Sequence, residues 1–418
     1  MVVVFEPTKL LGLAVLLYFL LRGLFFAAAY WGSSSRELRQ RVAKHFAPAD
    51  IERGFEYARR AYGARVARGM LEALVPLALV LTGLGARLAD RLRGISFERA
   101  SQQAAFLAAI LVVGLFLIRL PLSYWIGHVV ERRFGFSTQS AAGWLVLELK
   151  NLAVTVVISA AAAAVWYGIL GRFPRAWVLL VPAAFAIFQL AFALLLPQVL
   201  LPIYYQRSRL PEGSLRDGVE RILARAGIQA REIYAIDASR YSRHTNAFFT
   251  GIGPTRGIYL FDTLLEDQPE REVLTVVAHE AGHWRGGHIA KRIAISAAAL
   301  AVACFLLRLI YPHLAAAGAT GFRPLSDPAS LPALWLLATL ATFFVSPAAS
   351  AVSRRFEREA DRAAVELTQD PEAFAEAHKR LARSNRAQLL PHPLVVFWLY
   401  SHPPAIERVE AAERALPR

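Results

Sequence analysis

The chain predicts a mainly α-helical integral membrane protein, with seven spanning helices around a wet interior and a polar region carrying a small β-sheet. Three observations carry this. Of 418 residues, 56% are apolar and 19% charged, against about half and a quarter in soluble domains, and the mean hydropathy is +0.38. Seven apolar stretches approach the roughly 20 residues a helix needs to cross hydrocarbon. Several of them hold an ionisable side chain, which is costly at membrane depth unless it snorkels or faces protein or water.

The elements follow in order. Residues 10–31 contain Arg22; Lys9 is the only basic residue before them and AAAYWGSSS lacks a small-residue cleavage pattern, so this reads as a retained helix rather than a leader. Residues 73–86 are short and follow Glu72, and 104–118 run into Arg119. Residues 152–171 and 176–206 are the clearest spans, with 328–353 beside them, while 293–311 contain Arg308. Cys304, the single cysteine, lies in an apolar run and can form neither an internal disulfide nor a multi-cysteine metal cluster.

Two polar regions, 32–69 and 207–292, and a tail from Arg354 separate the spans. The first is a helical loop with nine Lys or Arg residues. Four spans lie between the two regions, so both fall on one side, which the positive-inside rule makes the cytoplasm, although the Arg-rich turn at 87–99 votes the other way. The net charge of +15 comes without interleaved aromatics, which favours lipid headgroups over nucleic acid. In the second region LRDGVERILARAG reads as an amphipathic helix. Short strands follow at 233–237, 246–251 and 257–261, and a helix starts near Pro269 and Glu270 with acidic residues in its first turn.

That last helix carries His279, Glu280 and His283 in the H-E-x-x-H pattern. Positions i and i+4 share a face, so both imidazoles reach one zinc ion, and Glu280 is placed as general base for the water that zinc activates toward a peptide carbonyl. A catalytic zinc wants a third protein ligand. Glu357 and Asp361, four apart in SRRFEREADRAAVEL, follow a hairpin of two spans and so return to the same side as His283. Glu357 is the expected ligand and Asp361 the carboxylate that orients a ligating histidine. Glu359 competes, and helix periodicity alone does not exclude it. His288, nine residues after His279, falls on the far side of an ideal helix, and Gly286 and Gly287 interrupt that helix, so it is expected to be structural.

HEAGHWRGGH, SRRFEREAD, YSHPPAIERV, NAFFTG and RRFGFSTQSAAGWLVLELK (132–150) together resemble the type I CAAX prenyl proteases, over most of the chain. The resemblance implies seven helices enclosing a large water-filled chamber, with a gluzincin-like zinc metallopeptidase domain. Residues 1–206 would be the N-terminal membrane region and 207–418 the metallopeptidase domain, with one zinc per chain held by His279, His283 and Glu357. That choice removes Glu359 as a ligand. It further implies His402 as a donor near the scissile carbonyl, Arg408 in the lining of the site, and Asn246 at the start of an edge strand for the substrate backbone.

The substrate would be a peptide or protein, lipidated or membrane-associated. The Ala- and Arg-rich composition points to a bacterial inner-membrane enzyme with its site on the cytoplasmic side. Two other classes remain open: a heat-shock-type membrane quality-control protease, and a non-enzymatic membrane chamber, which the intact Glu280 disfavours.

Overall fold

Helix is the conformation that lets an apolar segment satisfy its own backbone in hydrocarbon, and helix dominates the chain. The structure is a computed structural model, and it describes residues 7–94, 99–228, 232–251, 256–316 and 321–416; residues 95–98 of the Arg-rich turn therefore lie outside the described residues.

The N-terminal half comprises α1 (Pro7–Trp31), α2 (Arg36–Ala43), α3 (Pro48–Leu81), α4 (Leu84–Arg93) and α5 (Ala100–Tyr124). α5 continues through a π-turn (Trp125–Val130) into α6 (Glu131–Arg133); then come α7 (Ala141–Arg172) and α8 (Trp177–Leu195), and a second π-turn (Leu196–Leu200) leads to α9 (Leu201–Tyr204). The C-terminal half holds α10 (Ser214–Arg225), α11 (Asp262–Asp267), α12 (Glu270–Arg285), α13 (His288–Ala316), α14 (Leu331–Thr368), α15 (Pro371–Ser384), α16 (Pro393–Leu399) and α17 (Ala405–Glu413).

Among the described residues six helical segments are long and apolar enough to span a membrane, and α3 with α4, bent by 68°, bring the number to seven if the pair is counted as one broken span. The expected span 73–86 is the junction of these two. Gly83 adopts φ 65°, a left-handed conformation that ends a helix and that glycine tolerates best. The basic region is not a separate loop: α3 runs from Pro48 through the basic segment into the apolar one without a break.

Spanning helices show lipid-facing and protein-facing stripes. On α1, Leu13, Leu16, Leu20 and Leu24 are each more than half exposed, whereas Tyr18 and Phe25 are buried. The Tyr18 hydroxyl donates to the Gly69 carbonyl (2.5 Å). Arg22 sits on this inner stripe, its guanidinium 5.2 Å from the Tyr18 ring centroid and 5.0 Å from that of Phe343, so its charge faces aromatic protein surface rather than lipid. Arg308 instead reaches the Arg175 carbonyl between α7 and α8 (3.1 Å). A cavity of about 640 Å³ opens between α5, α7, α13 and α14, lined by side chains such as Leu111, Trp166, Leu300 and Trp335, with Ser159 as a polar exception.

The four-stranded sheet has the order β1 (Arg207–Arg209), β2 (Glu232–Ile236), β4 (Gly257–Phe261), β3 (Ala247–Thr250). β2 and β4 are parallel and the outer pairs antiparallel, which leaves β3 at an edge. The three expected strands are present; β1, with three exposed residues, was not expected. The sheet packs with α10, α12, the far end of α14, α15 and α17 on one core, where Val219, Ile258, Val277, Ala364, Phe374 and Val409 are each at most 1% exposed. Burying each of the larger ones is worth about 1.5–3 kcal/mol, and this core fixes α12 against α14.

Candidate metal centre

The site begins at the α12–α14 crossing. α12 buries Val273, Val276, Val277 and Ala281, an i, i+3, i+4 stripe that orients the helix, and at Gly282 the two helices nearly touch. A Cβ there would lie 2.9 Å from the Ala360 carbonyl oxygen and from Ala363 Cβ. His279, about one turn before Gly282, and His283, the residue after it, both face Glu357. His283 Nε2 lies 3.2 Å from His279 Nε2 and 3.4 Å from Glu357 Oε1, and His279 Nε2 lies 3.3 Å from Glu357 Oε2.

These residues fit a metal on their own chemistry. Their donor atoms all lie within 4.8 Å of one another. Two imidazole nitrogens and a carboxylate converging at 3.2–3.4 Å match the roughly 3.3 Å edge of a tetrahedron with bonds of about 2.0–2.1 Å. Glu357 is 2% exposed, and its Oε2 is buried without a hydrogen bond, a costly arrangement that a cation would relieve. The field there favours positive charge. Burial opposes an imidazolium at His279, but the Asp361 and Glu357 carboxylates outweigh it and raise its pKa to about 9.

Asp361 receives His279 Nδ1 at 2.9 Å, which leaves Nε2 turned toward Glu357. Arg408 does not line the cavity; it is held behind Asp361, its Nε donating to Oδ2 at 3.0 Å and its Nη2 bonded to Oδ1. Arg408 Nη2 also lies 3.2 Å from His279 Nδ1, but with that nitrogen's proton directed to Asp361 this is proximity rather than a hydrogen bond. Its geometry is that of a brace for Asp361.

Glu359 points away from the cluster. It meets Arg355 (3.1 Å) and His288 Nε2 (3.2 Å). The Gly286–Gly287 break, with Gly287 at φ 64°, ends α12 and returns His288 to the site as the first residue of α13. Its Nδ1 lies 2.9 Å from His283 Nδ1, its ring stacks on Phe356 at 4.4 Å, and it is 2% exposed. With His283 Nε2 turned to the cluster, one tautomer satisfies the chain: His283 Nδ1–H donates to His288 Nδ1, and His288 Nε2–H donates to Glu359. The expectation of a structural His288 counted the glycine break only as an interruption and did not foresee that it turns the ring back onto His283.

Glu280 and His402 border the same cavity of about 340 Å³, with Phe249 of the edge strand and Asn246 just before that strand. Glu280 Oε2 accepts from the Phe249 backbone N–H (3.3 Å). Burial raises its pKa against the pull of the neighbouring histidines, which moves a carboxylate toward the range useful for proton transfer. His402 precedes Pro403 and Pro404, and its Nε2 lies 3.3 Å from Glu357 Oε2. Ser401 Oγ meets its Nδ1 at 2.8 Å. It is accessible from the cavity yet surrounded by protein, and that desolvation lowers its pKa despite Glu357. A neutral ring whose Nδ1 accepts from Ser401 presents Nε2–H as a donor.

Asn246 is exposed at the entry to β3, and its own Oδ1 accepts from Ala247 N (2.9 Å). His244, without any spacing signal in the sequence, anchors this entry: its Nδ1 meets Asn385 Oδ1 (3.0 Å) and its Nε2 meets Glu131 Oε2 (2.9 Å). Glu131 also accepts from Tyr57 (2.6 Å), tying the edge strand to the membrane half.

The fold and this cluster define a membrane-embedded metallopeptidase. Residues 10–206 match the family described as CAAX prenyl protease N-terminal, five membrane helices, and residues 209–416 match peptidase family M48. The chain belongs to peptidase family M48. It is 28% identical to the uncharacterized metalloprotease YhfN of Bacillus subtilis, over 96% of this chain and 95% of that one. It is 27% identical to CAAX prenyl protease 1 of Saccharomyces cerevisiae over 71% of this chain and 69% of the yeast one. The crystal structure of S. mikatae Ste24p superposes with a TM-score of 0.82 at 21% identity, covering 98% of this chain and 99% of that chain, and so has the same fold.

Proposed function

We propose that this chain is a zinc endopeptidase that cuts peptide or protein substrates at the membrane's cytoplasmic face, with one zinc held by His279, His283 and Glu357. The carrying observation is the convergence of those three donors beside a buried, unsatisfied carboxylate oxygen. When bound, zinc would supply Lewis acidity and bring the pKa of water toward neutrality. Every other task falls to the protein. Asp361, braced by Arg408, fixes the His279 ring, and His288 with Glu359 fixes His283. Glu280 accepts a proton from the nucleophilic water and returns it to the leaving amine. His402 Nε2–H donates to the carbonyl oxygen as charge develops there, a role worth two to three orders of magnitude in rate elsewhere. The free edge of β3 takes the substrate backbone as an added strand, indifferent to side chain, with Asn246 at its entry.

A bacterial inner-membrane location and the division at residue 206 belong to this reading, supported by the chain-length match to the Bacillus protein and by the basic segment within 32–69. The names of the eukaryotic relatives make prenylated C-termini one substrate class to test. Purified protein and its Glu280→Gln variant, offered prenylated and unmodified peptides, should show cleavage only by the wild type, with products read by mass spectrometry. A single cut near a lipidated terminus supports processing, and many unrelated cuts support quality control. Equal cleavage by the Glu280→Gln variant would defeat the mechanism.

A further inference from the structure

Among the described residues lining the catalytic cavity, Arg292 is the one Lys or Arg, and the proposed mechanism gives it no task. It stands one helical turn beyond His288 on α13, so both side chains leave the same face. Across the gap, Ser353 and Glu357 are likewise four apart on α14. The Arg292 side chain is 52% exposed. Its contacts are loose: Nη2 lies 3.4 Å from Ser353 Oγ and 3.7 Å from Glu357 Oε1, and the guanidinium lies 5.9 Å from the Phe356 ring centroid.

Other arginines of the chain show what an engaged guanidinium looks like. Arg41 forks onto both oxygens of Glu410 at 2.8 and 2.7 Å, and Arg380 onto both of Glu272 at 2.9 and 3.3 Å. Arg292 has no such fork. Its nearest carboxylate, Glu357, is already turned to His279 and His283, and one 3.7 Å contact leaves most of its five donors for something entering the cavity.

We propose that Arg292 is a specificity residue that binds a carboxylate of the substrate close to the scissile bond. This rests on the peptidase reading of the same site. The carboxylate has two possible sources, the substrate's own C-terminus or an Asp or Glu side chain, and both offer the two-oxygen geometry a guanidinium matches. Through Glu357, the guanidinium lies on the order of 7 Å or less from the His283 donor atom. An extended chain advances about 3.3–3.4 Å per residue. The anion therefore belongs about two residues from the cut.

The test uses full-length protein in detergent or nanodiscs and matched peptides of one cleavable sequence. One pair differs only in a C-terminal acid or amide two residues beyond the cut; the others exchange Asp for Asn at each position within two residues on either side. Wild type should favour one acidic form by about tenfold to a hundredfold in kcat/KM, the range for a hydrogen bond to a charged group. Arg292→Gln should level that ratio to within about twofold while keeping wild-type metal content, and Arg292→Lys should keep part of it. Whether the amide or the Asn exchange abolishes the preference identifies the source.

Peptide affinity for the Glu280→Gln protein, measured with and without metal, should show the same preference without turnover. If wild type cleaves none of the peptides, the peptidase reading fails, and this binding arm still decides the role of Arg292. A preference that survives Arg292→Gln, or no acidic preference in wild type, overturns the proposal. So does an equal loss on every peptide together with loss of metal, which would make Arg292 a support for Glu357.

Discussion

Replacing Gly282 by alanine should damage the metal site more than it damages the fold. The added Cβ would meet Ala360 O and Ala363 Cβ at 2.9 Å and Ala360 Cα at 3.0 Å, against 3.4–4 Å for ordinary contact. The obstacles are backbone atoms and a methyl group that cannot rotate away, so α12 and α14 must separate by roughly 0.5–1 Å in an interior with little slack. Overpacking of this kind costs about 1–3 kcal/mol, while alanine in a helix interior returns about 1 kcal/mol relative to glycine. The net loss of stability is therefore about 0–2 kcal/mol, which a marginally stable domain survives.

The donors have less tolerance. Metal–ligand distances hold to about ±0.2 Å, and the separation opens between His279 and His283 on one helix and Glu357 on the other. A misplacement of about 1 Å near reacting groups costs on the order of a hundredfold in rate. Gly282→Ala should show weaker metal retention in a chelator titration and kcat/KM on a quenched-fluorescence peptide lowered by one to two orders of magnitude. Its thermal midpoint should fall only a few degrees. Gly171→Ala, in α7 with open space around its Cβ, is the control and should change neither. Wild-type metal affinity and rate in Gly282→Ala would refute the claim that this close approach sets the donor geometry.

Further outcomes follow from the same geometry. Glu357→Ala should abolish stoichiometric metal, whereas Glu359→Ala, which only loosens His288, should keep the metal with affinity reduced by about 10–100-fold; equal metal loss in both, by elemental analysis, would contradict the assignment. His402→Ala should retain metal and lose at least about 10²-fold in kcat, checked by parallel metal and rate measurements. His378 is buried with Nδ1 on the Phe374 carbonyl at 2.9 Å; burial, then the Arg408 charge, lower its pKa to about 3. The unfolded chain takes up that proton near pH 6.5, so native stability should fall as pH drops from about 6.5 to 3, by at most about 1.4 kcal/mol per unit. His378→Gln should flatten this slope in thermal melts, and an unchanged slope would assign the acid sensitivity elsewhere.

Much of this was legible in the sequence because it rests on short-range periodicity. His279 and His283 share a face because i and i+4 do, and an even number of spans returned Glu357 to their side. The choice between Glu357 and Glu359 was not fixed by periodicity and came from the family resemblance; in the structure Glu359 turns to His288 and Arg355. What escaped depended on tertiary geometry. The glycine break that returns His288 to His283 defeats ideal-helix angles, and Arg408 braces Asp361 from α17 instead of facing the cavity. The polar strand β1 has no alternating pattern, because all three of its residues are exposed, and only its pairing with β2 reveals it. The kink at Gly83 turned one expected span into two helices, and no motif or spacing singled out Arg292, which only the tertiary fold sets opposite Ser353 and Glu357.

X-ray absorption at the zinc K edge on the purified, catalytically competent chain would test the central assignment most directly. One zinc per chain with two imidazole nitrogens and carboxylate oxygen in its first coordination sphere, lost in Glu357→Ala, is the predicted result. A metal spectrum without histidine scattering, or one unchanged by removing Glu357, would contradict it.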